Sequence, residues 1–127
     1  GMREYEMILV LKPDSSDEDQ ERVFAKIQRA FDEVGGHLLE KESWGKKKLA
    51  YEMKKNSKGL MCQVNYLAES GTNSAISSSL RIDDSVLRYQ PIKVADRVDV
   101  EARIAQSQVV PEPEAEAVEA TGDSAEQ

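Results

Sequence analysis

The sequence predicts an α+β fold with the element order β-α-β-β-α-β, in which a four-stranded antiparallel sheet carries two helices on one face. Three observations predict it. Four segments have the apolar patterns of strands, two segments have apolar residues at helical spacing, and these segments follow one another in that order. At 127 residues, the chain is long enough for one such domain with a terminal extension.

The first strand runs from Arg3 to Lys12 and is apolar on both faces over part of its length. One face carries Tyr5, Met7, Leu9 and Leu11, and the other carries Ile8 and Val10. A strand with two apolar faces is expected in the middle of a sheet, where both faces are covered. Pro13 ends the strand, because proline cannot donate a hydrogen bond to a neighbouring strand.

The first helix begins near Ser16 and ends at Gly35. Ser15, Ser16 or Asp17 can accept hydrogen bonds from the free N–H groups of the first turn, and the acids that follow suit the positive end of the helix dipole. Apolar residues then recur at helical spacing, at Val23, Ile27, Ala30, Phe31 and Val34. Two glycines end the helix, because glycine adopts left-handed conformations at little cost.

The remaining elements are a second strand, a third strand, a weak second helix and a last strand. The second strand is expected from residues 37–43, with a further extended piece at 49–53, and the third, residues 59–68, is apolar on both faces. Three consecutive serines weaken the second helix, which follows Thr72. The last strand, residues 86–94, contains Pro91, which favours an edge position. With the first and third strands central and the others at the edges, this is the ferredoxin-like arrangement.

The negative charge of the chain is concentrated near its C-terminus. The net charge is −7, and residues 99–127 contain eight acids and one base, so the first 98 residues are neutral overall. Residues 109–127 have no aromatic residue and too little apolar surface to offset the entropy of ordering them. We therefore predict a folded domain at residues 2–95 and an acidic, disordered extension at 96–127, whose first part can form a short helix through Val98, Ala102 and Ala105.

Several classes of function are disfavoured by what the sequence lacks. It has no apolar run of the roughly 20 residues that span a bilayer and no signal-peptide pattern, so we expect a cytoplasmic protein without membrane contact. A single cysteine, Cys62, and a single histidine, His37, exclude a disulfide framework and a multi-histidine metal site. The phosphate-binding glycine motifs are absent, and no carboxylate lies in an apolar run. We therefore expect no enzyme activity, no cofactor, no metal and no small-molecule substrate.

Two sets of basic residues are candidates for RNA binding. Residues 41–58 contain seven lysines and two acids, and Lys46, Lys47 and Lys48 stand between Trp44 and Tyr51. The lysines can neutralise phosphates, while the aromatic rings can either stack on bases or anchor the hairpin to the domain. The second set is brought together if the first strand pairs with the last, and consists of Arg3, Arg88 and Lys93. The alternatives are a solvated hairpin and ordinary ion pairs with Glu4, Glu6 and Asp96.

The sheet face opposite the helices is expected to be apolar. Its apolar residues are Ile8, Val10, Met61 and Leu67. Residues 58–64 begin like the central motif of an RNA-recognition (RRM) domain but lack the aromatic residues that stack on unpaired bases. Base stacking on this face is therefore disfavoured, and we expect a protein partner to cover it.

Four motifs occur in a characteristic order: Met2-Arg3-x-Tyr5-Glu6, Lys12-Pro13, Trp44-Gly45-Lys46-Lys47-x-Leu49-Ala50-Tyr51 and Leu80-Arg81-x-Asp83-x-x-Val86-x-Arg88. Together they resemble protein S-six of the bacterial small ribosomal subunit, over about residues 2–94. The resemblance implies a structural constituent of that subunit. It also implies binding to the central domain of the small-subunit ribosomal RNA, together with ribosomal protein S-eighteen, during assembly.

By position, the resemblance makes Arg3, Arg88 and Lys93 the first RNA contacts and Lys46 to Lys48 the next. Two alternatives stay open at this point. An RRM-like regulator would bind short single-stranded RNA without a partner. A small enzyme of the acylphosphatase type would have the same fold and would need an anion-binding loop.

Overall fold

The computed structural model describes residues 2–107 of the protein. In this part of the chain the elements are β1 (Arg3–Leu11), α1 (Asp17–Val34), β2 (Gly36–Met53), β3 (Asn56–Ala68), α2 (Thr72–Arg81), β4 (Val86–Ala95) and α3 (Val100–Gln106). The strands form one antiparallel sheet with the order β2-β3-β1-β4. The predicted fold is confirmed, with β1 and β3 in the centre and the strand that contains Pro91 at an edge. Most of the extension predicted to be disordered, residues 108–127, lies outside the described residues.

The main core lies between one face of the sheet and the helices α1 and α2. Alternate residues of β1 and β3 supply the sheet side, and the helical stripe expected from the sequence supplies the other. Tyr66 is at the centre of this core, with its ring centroid 5.6 Å from that of Tyr5 and 5.5 Å from that of Phe31. Its hydroxyl donates a hydrogen bond of 2.5 Å to Oδ1 of Asn73, so the polar end of the buried ring has a partner.

Cys62 belongs to the same core and is almost completely buried. Burial raises the pKa of its thiol, because the thiolate would lose its hydration. A protonated, buried thiol is unreactive, so Cys62 acts as a small apolar packing residue, as its place in an alternating strand predicts.

Helix α1 begins with a reciprocal cap. Oγ of Ser16 accepts a hydrogen bond from the Asp19 N–H, and the Asp19 carboxylate accepts one from the Ser16 N–H, each at 3.0 Å. Of the three residues that the sequence offers as caps, Ser16 is therefore the one used. The helix ends before Gly35, whose φ of +131° is a conformation that favours glycine.

Asp83 connects the turn between α2 and β4 to helix α1. Its carboxylate accepts two hydrogen bonds of 3.0 Å from the guanidinium of Arg22 and one of 2.9 Å from the Ser85 N–H, and it lies 3.1 Å from Nζ of Lys26. The Asp83 side chain is only 3% exposed. Arg22, together with Lys26 and the Ser85 amide, holds the pKa of this carboxyl well below its usual range.

We predict that Asp83→Ala lowers the free energy of unfolding at neutral pH by about 2–4 kcal/mol, because it removes a buried, multiply bonded carboxylate. Since the pKa of Asp83 is lower in the folded state, its contribution is present above the unfolded pKa of about 4 and is lost as the pH falls below that value. Urea unfolding at neutral and acidic pH measures both effects.

Asp84→Ala is the matched control, because its exposed side chain has no hydrogen bond or ion pair in the described part of the chain. It should leave the unfolding midpoint nearly unchanged. Equal losses for the two variants would contradict the role given to Asp83.

Candidate nucleic-acid interface

Arg88 lies at the centre of the candidate interface. It is paired with Val10 of β1 and lies on the sheet face away from α1 and α2. Its Nη1 donates to the Tyr51 hydroxyl at 3.0 Å, and its Nη2 donates to Oε1 of Gln90 at 2.8 Å. Both acceptors are uncharged, so the exposed guanidinium keeps its positive charge. Sequence reasoning does not single out Gln90, although its place two residues after Arg88 on the same strand is a signal for it.

Tyr51 reaches Arg88 because the end of the β2–β3 hairpin folds over the sheet. The pairing of β2 with β3 stops after Lys48 and resumes only at Met53. The residues between, 49–52, have no register partner on β3. They cross from the edge strand β2 towards β4, at the opposite edge, where Tyr51 meets Arg88. Arg88, one of the three residues of the second basic set, therefore meets the hairpin that carries the first set.

Gly59 makes room for the crossing segment. A Cβ at this position would lie 2.5 Å from Cγ1 of Val10 and 3.5 Å from Cδ2 of Leu49. The missing side chain lets Leu49 and Val10 approach each other, and Val10 is only 3% exposed. A cleft of about 270 Å³ remains beside the segment, with Ile8 and Met61 among its lining residues.

The three lysines predicted to bind RNA lie on β2 just before the crossing segment. Lys46, Lys47 and Lys48 are all exposed, and none of them makes an ion pair within residues 2–107. Lys48 stands directly opposite Lys58 of β3. Like charges placed directly across a ladder repel each other, so this edge of the sheet favours an anionic partner.

Arg3 and Lys93 lie apart from Arg88. Nε of Arg3 is 3.5 Å and Nζ of Lys93 is 2.9 Å from the same oxygen of Asp96. Lys93 first and Arg3 second lower the pKa of Asp96. Lys93 is five residues beyond Arg88 on β4, a separation of roughly 17 Å. The predicted patch is therefore split, and Arg3 and Lys93 form ion pairs with Asp96, one of the three acids weighed as alternative partners.

The other end of the open sheet face is covered by the segment that contains α3. Asp99 caps this helix by accepting a hydrogen bond from the Ala102 N–H at 3.2 Å. Arg103 donates to both carboxylate oxygens of Glu4 on β1, at 2.9 and 3.1 Å. The Ser107 hydroxyl donates to the carbonyl of Leu39 on β2. These contacts lay α3 across the sheet from β1 to β2.

The short helix expected near the start of the extension forms over Val100–Gln106, and it packs on the domain, which the sequence does not predict. Ala102 and Ala105 are exposed, and Arg103 makes the attachment instead. A second attachment precedes the helix, where the Val98 N–H donates to the Met2 carbonyl at 2.9 Å. The described part of the extension thus packs on the domain.

Two of the four residues expected to meet a protein partner are covered by the chain itself. Leu67 has no exposed surface, because it lies opposite Glu4 beneath the segment that contains α3, and Val10 lies beneath the hairpin end. Ile8 and Met61 stay partly exposed. The apolar periodicity places all four side chains on one face correctly, but it does not show that later parts of the chain cover that face.

A larger cavity, of about 710 Å³, lies between α1 and β2 on the helix side of the sheet. Phe24 and Leu38 are among its apolar lining residues, and Asp17 and Glu21 are among its acidic ones. Lys41 also lines the cavity, so its charged lining residues carry no excess of positive charge that would attract phosphate groups.

The described residues offer no group of three or more metal-ligating side chains from His, Cys, Asp or Glu. None of the helices within residues 2–107 has the length and apolarity that crossing a membrane requires.

Comparison with known proteins gives consistent results for sequence and structure. Residues 4–93 match the family described as Ribosomal protein S6. Small ribosomal subunit protein bS6 of Syntrophobacter fumaroxidans is 36% identical over 105 residues, which cover 83% of this chain and 71% of that protein. The protein of the same name from Geotalea uraniireducens is 31% identical over 124 residues, covering 94% of this chain and 97% of the relative. The crystal structure of 30S ribosomal protein S6 from Thermotoga maritima has the same fold, with a TM-score of 0.65 and 21% identity over 84% of this chain and 97% of that one.

We predict that Arg103→Ala loosens the segment that contains α3, because it removes a bidentate ion pair whose Glu4 side chain is only 12% exposed. Amide hydrogen exchange of residues 98–107 should become about tenfold faster or more. Arg97→Ala is the control, since the exposed Arg97 side chain makes no hydrogen bond or ion pair within residues 2–107. Unchanged exchange in Arg103→Ala would mean that the pair with Glu4 does not hold the segment.

Proposed function

Because the chain belongs to the ribosomal protein S6 family, we propose that it binds the central domain of small-subunit ribosomal RNA, jointly with ribosomal protein S-eighteen, as the subunit assembles. Its family consists of structural proteins of the small ribosomal subunit, which are cytoplasmic and are not enzymes. The observation that carries the proposal is the meeting of Arg88 with the lysine-bearing hairpin at one end of the open sheet face.

The RNA contacts that we propose fall into two groups. Arg88 and the lysines at 46, 47 and 48 are exposed and have no carboxylate partner in the described part of the chain, so they form the main contact. Arg3 and Lys93 share Asp96, and a phosphate would have to compete with that carboxylate. They form a second contact that contributes less binding energy for each positive charge.

The partner is needed because the folded domain carries little net charge. The first 98 residues hold equal numbers of acidic and basic residues, so few counterions would be released when this protein binds RNA alone. A basic protein that binds beside it would supply the missing attraction. We propose that it contacts the partly exposed Ile8 and Met61 beside Arg88, where apolar surface and positive charge adjoin. Val10 and Leu67 support this surface from beneath their covering segments.

The RRM-like alternative receives no support from the open face. The strand positions that would stack on bases are occupied by residues such as Met61 and Gln63, and Gln63 donates a hydrogen bond to Glu6 at 2.6 Å. The hairpin end and α3 also cover both ends of this face, so a single strand of RNA has no continuous path across it.

We predict that Arg88→Ala weakens the complex of this protein, ribosomal protein S-eighteen and a central-domain RNA fragment by about fivefold to thirtyfold, with a salt dependence shallower by about one unit. Both effects follow from the loss of one phosphate contact. Filter binding across a range of salt concentrations measures them. Arg81→Ala is the control, because Arg81 is an exposed arginine on α2, on the other side of the sheet. Binding of Arg88→Ala at the wild-type level and slope would count against the proposal.

We predict that Ile8→Glu raises the concentration of ribosomal protein S-eighteen needed to form the same complex by about tenfold or more, because a charge would be buried against apolar surface. Titration of the partner at fixed RNA concentration measures this. Ile82→Glu is the matched control, since Ile82 is 79% exposed and follows α2. Equal effects of the two substitutions would show that the partner does not bind at Ile8.

A further inference from the structure

We infer that Tyr51 is a positioning residue whose hydroxyl orients the Arg88 guanidinium for a phosphate group of the RNA. The inference rests on the proposed function, because it deepens the role given there to Arg88. It assigns Tyr51 a task that is neither base stacking nor anchoring of the hairpin.

Two hydrogen bonds fix the plane of the Arg88 guanidinium and leave most of its N–H donors available. One Nη donates to Tyr51 on the crossing segment, and the other donates to Gln90 on β4. A guanidinium has five N–H donors, so three remain for a ligand. Two fixed contacts also remove much of the rotational freedom that the long side chain would otherwise lose on binding, which is the usual benefit of preorganisation.

The exposure of Tyr51 indicates that packing does not account for its position. Its surface is 63% exposed, whereas Trp44 on the same strand is 37% exposed. An aromatic residue that anchors a hairpin buries most of its ring. The hydrogen bond to Arg88 is the polar contact that the Tyr51 side chain makes within residues 2–107.

The acceptors at Arg88 differ from those at Arg22 and Arg103, the two arginines that connect separate elements through carboxylates. Arg103 is held by the Glu4 carboxylate and Arg22 by the carboxylates of Asp83 and Asp19, so these side chains are paired with negative charge. A phenol oxygen and an amide oxygen accept hydrogen bonds without cancelling the charge. Arg88 is therefore both oriented and still fully attractive to an anion, a combination that suits a phosphate contact.

The test is a double-mutant cycle on the same complex of protein, ribosomal protein S-eighteen and RNA fragment. Tyr51→Phe removes the hydroxyl and keeps the ring, and it should weaken binding by about threefold to tenfold, the range expected for one hydrogen bond. It should keep the wild-type salt slope, because no charge is lost. In the Arg88→Ala background, Tyr51→Phe should have no further effect.

Tyr89→Phe is the matched control. Tyr89 lies next to Arg88 on β4, and its hydroxyl shares a 2.6 Å hydrogen bond with Ser77 of α2 on the helix side of the sheet. Loss of the Tyr89 hydroxyl should leave RNA binding unchanged. Thermal unfolding of each variant establishes that all of them are folded at the temperature of the binding measurement.

The possible results distinguish a failure of the inference about Tyr51 from a failure of the proposed function. If Arg88→Ala binds as the wild type does, the proposed RNA contact of Arg88 is wrong. If Arg88→Ala is weakened but Tyr51→Phe is not, positioning by Tyr51 is overturned. If the two losses add, the Tyr51 hydroxyl contacts the RNA directly, and the inference is overturned as well.

Discussion

Two central strands that are apolar on both faces constrain the whole molecule, because apolar surface on either side of the sheet has to be removed from water. Helices α1 and α2 cover one side and form the main core around Tyr66. Within residues 2–107, the other side is covered at one end by the hairpin segment 49–52 and at the other by α3. Between these covers Ile8 and Met61 stay partly exposed, beside the exposed charge of Arg88.

The segments that cover the open face also decide which positive charges are paired with carboxylates and which are not. Where a covering segment forms an ion pair with the sheet, as Arg103 of α3 does with Glu4 of β1, the pair attaches one element to another and the positive charge is neutralised. Where the hairpin end brings a neutral phenol to Arg88, the charge stays available. A domain with equal numbers of acids and bases can therefore present local positive potential without an overall excess of it.

Most of the fold could be predicted from the sequence, because apolar periodicity and capping residues are local signals. The alternation in β1, the cap at Ser16 and the proline in β4 each indicate one element or its place in the sheet, and the structure agrees. Contacts between distant side chains carry no such signal. Asp83 and Arg22 are 61 positions apart, and Arg88 and Tyr51 are 37 apart, so their pairing depends on the exact path of the hairpin and the turn. For the same reason, apolar periodicity places Leu67 on the open face of the sheet but does not predict that α3 covers it.

The contact between Arg103 and Glu4 joins residues 99 positions apart, so α3 covers a strand that was synthesised long before it. On a translating ribosome, β1 emerges long before α3 does. At about 5–20 residues per second, several seconds separate the two events. During that interval a nascent sheet already formed through β4 would leave Leu39 and Leu67 bare to water and to chaperones. Coverage of this end of the sheet therefore depends on residues that are synthesised after all of its strands.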